Sequence, residues 1–373
     1  MKNKFKATLT ENFDQYEKLS KEFNVPVAEI VQIDLNRCGV YLKNGEVREN
    51  FRVRYKARIL NDYQSWYALP VMSKNDTPFM ITDNHLYMSG KEIGNVETQL
   101  ILDTCESSYQ RGPRLLNLNS RSRSNCAGCK ACIHNYHDFY DDTVIKDKKQ
   151  LITEDDVKEF FESKNLDVAS LTQIAVVTGL FGSEENVVNH MKIVHKVATE
   201  KGFKGQLMYF GCEVNSDQAL NELAALGNFQ LIYAIDNFSK REDILSWKKS
   251  KITLKYAKNT LKLAKSKGIH TTISYICGID TLEETENGFK FLKEEMTDFP
   301  IINVYQIQTQ DQAKVLNQQA QELTYYLKAR KIVEDVFADT KLKPKRWTNY
   351  RPLWYKHYNS EVLPDNSYGQ LEK

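Results

Sequence analysis

From about residue 114, the chain alternates short apolar runs with longer segments whose apolar positions recur at helical spacing. The apolar runs are continuous, which is typical of strands buried on both faces. This alternation predicts βαβ units and a parallel sheet, either a barrel or an open doubly wound sheet. Strands are predicted at residues 115–118, 174–178, 206–210, 229–235, 271–276 and 301–305, and helices at residues 183–199, 217–226, 253–267 and 282–295, with a further helix that begins at Thr153.

Residues 1 to about 100 follow a different pattern, in which apolar and polar positions alternate over short stretches. Residues 31–35 and 40–42 alternate as strands do, and Asn44-Gly45 predicts a hairpin turn. Further strands are predicted at residues 52–59 and 66–71, with turns at 75–78 and 89–90. The pattern predicts a small, mostly β N-terminal domain and does not indicate its role.

Composition and charge exclude several classes of protein. The chain has 373 residues, of which 41% are hydrophobic and 27% charged, and its net charge is +2. This charge provides no general field for nucleic acid or an anionic membrane. No apolar run approaches the roughly 18 residues of a membrane-spanning helix, and the first residues lack the apolar core of a secretory signal. We therefore expect a cytoplasmic protein with no membrane partner, and neither its charge nor a motif indicates a nucleic-acid partner.

Three cysteines lie close together in the loop after the first predicted strand. Cys126, Cys129 and Cys132 are separated by two residues each, and Gly128 eases the turn between the first two. Cys-x-x-Cys lets two thiolates bind one ion or cluster, so the spacing predicts a metal centre. An odd total of seven cysteines argues against a disulfide framework. The remaining cysteines are scattered, and Cys277 is interpreted as a buried strand residue: Cys38, Cys105, Cys212 and Cys277.

Three kinds of metal centre fit this spacing. A structural zinc site would take His134 or His137 as a fourth ligand. A ferredoxin-type cluster would continue to a fourth cysteine before proline, and no Cys-Pro pair occurs in the chain. A four-iron cluster held by three cysteines would leave one iron open to another ligand. The loop stands at the carboxyl end of a predicted parallel strand, where such folds build their active sites.

With this loop in this position, residues 114 to about 310 resemble the radical S-adenosylmethionine superfamily. The resemblance implies a partial (β/α)6 TIM-type barrel in which Cys126, Cys129 and Cys132 bind a [4Fe–4S] cluster and S-adenosylmethionine chelates the fourth iron. One-electron reduction, for which a flavodoxin- or ferredoxin-type donor is implied, would cleave the cofactor to a 5′-deoxyadenosyl radical. The first gap is one residue shorter than in the common Cys-x-x-x-Cys-x-x-Cys pattern, and Ala131 stands where an aromatic residue usually precedes the third cysteine.

Segments after later strands also match this family. Residues 182–184 are similar to the Gly-Gly-Glu that meets the methionine amino group, Asp236 stands near the expected ribose, and residues 276–279 are similar to the segment near the adenine. Apart from the resemblance, Ser and Asp at these places are typical helix caps. The residues that the resemblance places around the cofactor are Gly182, Ser183, Glu184, Glu213, Asp236, Ile276, Gly278 and Ile279.

The chain is predicted to have three parts. These are a small α+β N-terminal domain at residues 1–105, the radical core at 106–315, and a C-terminal helix with an aromatic and basic tail at 316–373. The tail could cover the barrel opening and hold a flat anionic substrate, or it could pack on the domain surface. Four arginines near the cysteine loop are either contacts for a carboxylate or phosphate or a solvated basic surface: Arg111, Arg114, Arg121 and Arg123.

The function predicted is an enzyme that removes a hydrogen atom from a small-molecule substrate, with phosphorylated and nucleotide-like compounds as candidates. Two alternatives stay open. One is modification of a peptide or tRNA, with residues 1–100 as the recognition domain. The other is a non-catalytic zinc-binding module on an α/β domain. The sequence indicates neither the substrate nor the reaction that follows hydrogen abstraction.

Overall fold

The computed structural model describes residues 7–44, 52–60, 63–100, 108–112, 114–121, 128–132, 150–345 and 351–364. The strands are β1 (Tyr41–Leu42), β2 (Arg52–Ile59), β3 (Tyr63–Pro70), β4 (Phe79–Thr82), β5 (His85–Met88), β6 (Lys91–Leu100), β7 (Tyr109–Gly112), β8 (Leu115–Leu118), β9 (Gln173–Val177), β10 (Gln206–Gly211), β11 (Phe229–Asp236), β12 (His270–Cys277), β13 (Ile301–Val304), β14 (His357–Tyr358) and β15 (Glu361–Val362). The α-helices are α1 (Asp14–Phe23), α2 (Val27–Cys38), α3 (Glu154–Ser163), α4 (Glu184–Glu200), α5 (Asp217–Ala224), α6 (Arg241–Ile244), α7 (Trp247–Ser250), α8 (Leu254–Ser266), α9 (Leu282–Leu292), α10 (Gln310–Ala313) and α11 (Leu323–Val336).

The six strands predicted in the second half of the chain form one parallel sheet. Strands β8 to β13 pair in chain order, and β7 adds an antiparallel edge next to β8. Because the order never reverses, right-handed crossovers leave every connecting helix on the same face of the sheet. That winding belongs to a barrel, and a doubly wound sheet would show a reversal point. The expected partial (β/α)6 barrel with a mostly β N-terminal part is confirmed.

Successive side chains of the parallel strands point to two different faces of the sheet. Ile174 and Leu207 belong to the large core beneath the helices. Their neighbours Ala175 and Met208 form a separate apolar cluster with Ile232 and Ile301. Residues two apart share a face of a strand, so the second cluster marks the inner face of the partial barrel.

The major helices of the barrel begin at serine or threonine residues. Each of these hydroxyls accepts a hydrogen bond from a backbone N–H in the first turn, which supplies about 1 kcal/mol per cap. Because the caps are encoded locally, the sequence predicted the starts of these helices within one residue or so. The N-cap residues are Thr153, Ser183, Ser216, Thr253 and Thr281.

The N-terminal sheet closes on itself. Its six strands pair in the order β1-β4-β5-β6-β2-β3. The backbone N–H of Val40, just before β1, donates to the Pro70 carbonyl at 3.0 Å, and the N–H of Met72 donates to the Val40 carbonyl at 2.9 Å. Since Val40 pairs in parallel with Val71, the two ends of the sheet are joined. This junction protects strand edges that would otherwise expose unpaired backbone groups.

One secondary-structure prediction in this region is wrong. Residues 31–35, predicted as a strand, lie in helix α2. Almost every side chain of α2 is buried, including Glu29, Gln32 and Asp34. A helix that is buried on all sides carries no one-sided apolar stripe, so the alternation Val-Gln-Ile-Asp-Leu resembled a strand.

Residues of the N-terminal part, the barrel helices and the C-terminal segment share one continuous core. The Gln306 carboxamide, which follows β13, donates to the Ala68 carbonyl of β3 at 2.8 Å. In the tail, Leu353 and Trp354 are buried, as the interpretation of a packed tail expects. The proposed division at residues 105 and 315 stays a prediction. Across the described ranges, every helix is too short or too polar to cross a bilayer.

Candidate active site at the carboxyl ends of the strands

The described part of the cysteine loop is held against the segments that follow β11 and β13. The Lys130 N–H donates to the Ile244 carbonyl at 2.8 Å, and the Gln312 side chain donates to the Ala131 carbonyl at 3.3 Å. The loop turns tightly, because the Cys132 N–H donates to the Cys129 carbonyl at 2.9 Å and Gly128 has a φ of +59°. These contacts fix the loop at the carboxyl ends of the parallel strands.

The two described cysteines of the loop are half-buried. The Ser246 backbone N–H, at the end of the α6–α7 connection, donates to the Cys129 sulfur at 3.3 Å. Amide N–H groups that donate to sulfur are common around thiolate-bound metal centres. Cys129 and Ala131 also pack at the edge of an apolar cluster that contains Leu245 and Ile279. The loop therefore places the Cys129 sulfur between a backbone donor and an apolar wall.

Several predicted residues lie outside the described ranges. Cys126, Cys105, His134 and His137 are among them. Within the described ranges, no three Cys, His, Asp or Glu side chains are grouped as a metal site. The three described cysteines outside the loop are buried, including Cys277 as expected for a strand residue: Cys38, Cys212 and Cys277.

The loops that follow β9 and β10 hold each other through two carboxylates. Glu213, after β10, accepts the N–H groups of Phe181 at 2.8 Å and Gly182 at 2.9 Å. Glu184, after β9, accepts the N–H groups of Asn215 and Ser216. Each loop thus supplies the acceptor for the backbone donors of the other. Both carboxylates were predicted to face a cofactor, and a cofactor contact of either stays a prediction.

The first of these loops has a glycine where its backbone requires one. Gly182 has a φ of +93°, which is unfavourable for residues with a side chain. Ser183 accepts the Asn186 N–H and caps helix α4, so the simpler interpretation of that residue is confirmed. Burial raises the pKa of Glu213, and hydrogen bonds from Phe181 and Gly182 oppose the shift.

Asp236 ends strand β11 in a bulge. The register of β11 against β12 shifts between Ala234 and Asp236, and Asp236 has a φ of +66°. Its carboxylate forms an ion pair with Lys249, which is almost buried. Burial lowers the pKa of Lys249, but the charge of Asp236 outweighs it, so the pKa of the ammonium is raised. A bulge next to a strand end turns this side chain out of the ladder.

The segment after β12 provides an apolar wall and a further carboxylate. Ile279 is buried and Ile276 packs partly buried against the same cluster. Gly278 has a φ of +126°, and a Cβ there would lie 3.0 Å from Tyr305 Cβ. Asp280 is fully buried and accepts the N–H groups of Phe238 at 2.8 Å and Ser239 at 2.9 Å. Burial raises the pKa of Asp280 above its usual range.

A cavity of about 850 Å3 opens next to the cysteine loop. A volume of this size suits a nucleotide-sized ligand, for which pockets span roughly 300–1,000 Å3. Its wall combines apolar side chains with lysines and aspartates. The lining residues include Lys130, Lys240, Asp243, Ile244, Ile279, Thr281, Asp311, Lys314, Val315 and Leu316.

Of the four predicted arginines, Arg121 is tied to the loop after β9. Its backbone N–H donates to the Thr178 hydroxyl at 2.7 Å, and its guanidinium donates to the Phe181 carbonyl at 3.2 Å. Behind it, His190 is hydrogen-bonded to Ser120 at 2.8 Å. Burial and then the charge of Arg121 lower the pKa of His190 to about 4, so this histidine is neutral at pH 7. The side chains of Arg111 and Arg123 are outside the described set, and Arg114 is exposed.

The sequence missed several residues that build this site. Ser246 and Lys249 lie in a short polar helical segment with no recognisable motif. Asp280 lies inside a segment that was singled out for its glycine and isoleucines, and an acid directly before a capping Thr281 was the available signal. The donors that Glu184 and Glu213 accept are backbone groups, which leave no trace in the sequence.

Comparison with known proteins finds structural likeness only. No family model matches the sequence, and no curated protein matches it. Streptococcus suis SuiB bound to S-adenosylmethionine is similar at a TM-score of 0.44 and 11% identity, over 62% of this chain and 49% of SuiB. The radical S-adenosylmethionine methyltransferase TsrM from Kitasatospora setae, with cobalamin and a [4Fe–4S] cluster bound, is similar at a TM-score of 0.35 and 15% identity, over 53% and 37%.

The FeFe-hydrogenase maturase HydG from Carboxydothermus hydrogenoformans is a third similar structure. Its TM-score is 0.40 and its identity 15%, over 60% of this chain and 51% of HydG. The chain therefore spans about half or less of the length of each of these proteins.

Proposed function

We propose that this protein is a radical S-adenosylmethionine enzyme whose [4Fe–4S] cluster is held by Cys126, Cys129 and Cys132. The observation that carries the proposal is the position of Cys129. Its sulfur is half-buried at the carboxyl ends of six parallel strands and accepts the Ser246 N–H at 3.3 Å. A structural zinc knuckle has no need of that position, whereas an active site is built there.

Three cysteine sulfurs are a suitable ligand set for a [4Fe–4S] cluster. Thiolates are the usual ligands of iron–sulfur clusters, and amide hydrogen bonds to the sulfur tune their potential. When bound, the cluster and S-adenosylmethionine would supply a 5′-deoxyadenosyl radical that removes a hydrogen atom. The cavity beside Lys130 is the proposed place for the nucleoside part of the cofactor, with Ile279 in its apolar wall and Ile276 in the apolar cluster that contains Ile279.

The roles of this chain's other residues follow from their contacts. Glu213 and Glu184 hold the loops after β9 and β10 in place, and Gly182 supplies the left-handed turn of the first loop. Asp280 holds the loop after β11 through Phe238 and Ser239. These carboxylates position the loops at the carboxyl ends of the strands. As the substrate, we propose a small molecule of cytoplasmic origin.

The test is reconstitution with iron and sulfide under anaerobic conditions, followed by incubation with S-adenosylmethionine and dithionite. We expect a brown protein with about four irons per chain and formation of 5′-deoxyadenosine. Cys129→Ala should lose both the iron and the product. Cys38→Ala, a buried cysteine in α2, is the matched control and should keep both.

A colourless protein with one tightly bound zinc would contradict the proposal and favour the zinc module. Normal 5′-deoxyadenosine formation by Cys129→Ala would show that the cluster is bound elsewhere. Transfer of deuterium from a labelled metabolite into 5′-deoxyadenosine would identify the substrate, and transfer from a peptide or tRNA alone would exclude a small molecule.

A further inference from the structure

The strongest unexplained surface feature lies directly next to the cysteine loop. Trp247 is 61% exposed, the most exposed aromatic side chain among the described residues. The ammonium groups of Lys251 and Lys248 lie 4.7 Å and 5.7 Å from the centre of its ring. The two ammonium groups make favourable cation–π contacts with the ring, and tryptophan is enriched among the residues that dominate protein interfaces.

The chain around Trp247 is strongly basic. Residues 244–279 contain eight lysines and no aspartate or glutamate, in a protein whose net charge is only +2. Some of these lysines are neutralised within the protein, since Lys249 pairs with Asp236 and Lys267 with Asp217. Lys248, Lys251 and Lys255 are exposed and have no carboxylate within 4 Å among the described residues.

The first turn of helix α8 is also basic, whereas the first turns of the neighbouring helices are acidic. Helices α3, α4, α5 and α9 carry acidic residues in their first turns, where the helix dipole favours negative charge. Helix α8 has none and carries Lys255 there. The helix therefore places a cation where its own dipole opposes it. We call Trp247, Lys248, Lys251 and Lys255 the Trp247 patch.

The patch adjoins the thiol that would hold the cluster. Ser246, which donates its N–H to the Cys129 sulfur at 3.3 Å, immediately precedes Trp247. Lys130, next to Cys129 in the loop, is also exposed. A protein bound over Trp247 would thus lie against the backbone segment that contacts the cysteine loop.

We propose that the Trp247 patch is the docking surface for an acidic one-electron-donor protein. This inference rests on the proposed function, which requires one electron for each cleavage. One electron would leave the anionic hydroquinone flavin of the donor, which would become the neutral semiquinone, and would reduce the cluster that the cysteine loop would hold. No bond and no proton is exchanged between the two proteins. Complementary charge guides the encounter, and the indole provides the central apolar contact.

The test measures binding separately from turnover. Oxidised flavodoxin, an acidic protein, is titrated calorimetrically into the anaerobically purified protein at low and at high salt. Lys251→Glu/Lys255→Glu should weaken binding by about tenfold or more at low salt, and the difference should shrink as salt screens the charges. Trp247→Ala should weaken binding by about tenfold at both salt concentrations. Lys248 is left unchanged because its charge acts on the pKa of Glu213.

The matched control is Lys204→Glu/Lys328→Glu, which changes the net charge equally. Both lysines are exposed, and Lys204 precedes β10 at the opposite end of the sheet from the cysteine loop. The control should bind flavodoxin within about twofold of wild type. Equal binding by the Lys251/Lys255 variant, or an equal loss in the control, would overturn the proposal. The proposal would also be overturned if the patch bound RNA in a salt-dependent manner while neither patch variant changed flavodoxin binding.

A second measurement separates this inference from the proposed function. With dithionite as the reductant, the patch variants should form 5′-deoxyadenosine at the wild-type rate. If wild type forms none, the proposed function fails. If all variants form 5′-deoxyadenosine but the patch substitutions leave flavodoxin binding unchanged, only the docking surface is wrong.

Discussion

Asp280 and the half-buried Glu213 at the mouth of the barrel, and the buried Glu29 of helix α2, are carboxylates stabilised by different partners. Glu213 and Asp280 accept hydrogen bonds from backbone N–H groups of neighbouring loops. Glu29 in α2 pairs with Arg330 of α11 at 2.5 Å and accepts further bonds from Lys356 and His357 in the tail. Backbone N–H groups therefore hold Glu213 and Asp280, whereas a full opposite charge holds Glu29.

This difference sets opposite pKa shifts. Burial raises the pKa of Glu213 and of Asp280, because the backbone donors offset it only in part. Burial would also raise the pKa of Glu29, but the charge of Arg330 and the hydrogen bonds from His357, Arg330 and Lys356 outweigh it, so the pKa is lowered. The α2 contact is therefore a fixed ionised anchor. At the mouth, burial shifts the pKa values of Glu213 and Asp280 in the opposite direction, toward the protonated form.

Replacing Arg330 should produce the largest effect. In Arg330→Ala, the carboxylates of Glu29 and Glu334 stay buried without their cation, which should cost about 3–5 kcal/mol of unfolding free energy. Urea denaturation followed by circular dichroism measures it. Lys331→Ala, which removes an exposed pair with Asp335 on the same helix, should cost about 0.5 kcal/mol or less. Similar losses in the two variants would erase the distinction between the two regions.

Asp280→Asn should have an intermediate effect. The amide has one oxygen in place of two and turns a donor toward the N–H groups of Phe238 or Ser239, at a cost of about 1–3 kcal/mol. Because the damage is confined to the loop after β11, hydrogen exchange should rise at residues 237–240 more than in α2. Glu286→Gln, on the exposed surface of the following helix, serves as the control. Unchanged exchange in the loop would mean that Asp280 does not hold it.

The pH dependence should show the smallest and most informative difference. Glu29 has a lowered pKa in the folded state, so its stabilisation is present above its usual value of 4.5 and is lost as pH falls through the lowered value. The stability difference between wild type and Glu29→Gln should therefore shrink as pH falls from 4.5 through the lowered pKa.

Asp280 has a raised pKa in the folded state, so the sign reverses. The cost of its ionisation is present above the raised value and disappears as pH falls toward its usual value of 3.8. Wild type should gain stability relative to Asp280→Asn over that interval. Denaturation of both variant pairs across a pH series tests the two signs together, and the same sign for both would show that the partners do not govern these groups.

The parallel strands and their helices were predictable because their signals are local. Continuous apolar runs marked the strands, and hydroxyl caps such as Ser183 and Thr281 marked the helix starts. The place of the cysteine loop after β8 followed from the same alternation. Cys129 and Cys132 do lie at the carboxyl end of the sheet, next to the segments after β11 and β13.

Helix α2 was not predicted because its polar side chains pair with residues far away in the sequence. Glu29 and Arg330 are 301 residues apart, and Asn36 contacts Tyr355 of the tail. Because these polar groups are buried, the helix has no one-sided apolar stripe. A short stretch of its sequence therefore matches the alternating pattern of a strand. The roles assigned to Glu184 and Glu213 illustrate the same limit, since their donors are backbone groups of another loop.

The sequence by itself determined which segments form the parallel strands, where their helices begin and which thiols follow the first strand, because periodicity, caps and spacing are encoded over a few residues. Only the tertiary structure decided that α2 is a helix, that the N-terminal sheet is joined at Val40 and Val71, and that Ser246 contacts Cys129. Those features depend on contacts between residues far apart in the chain, whose free energy exists only once the chain has folded.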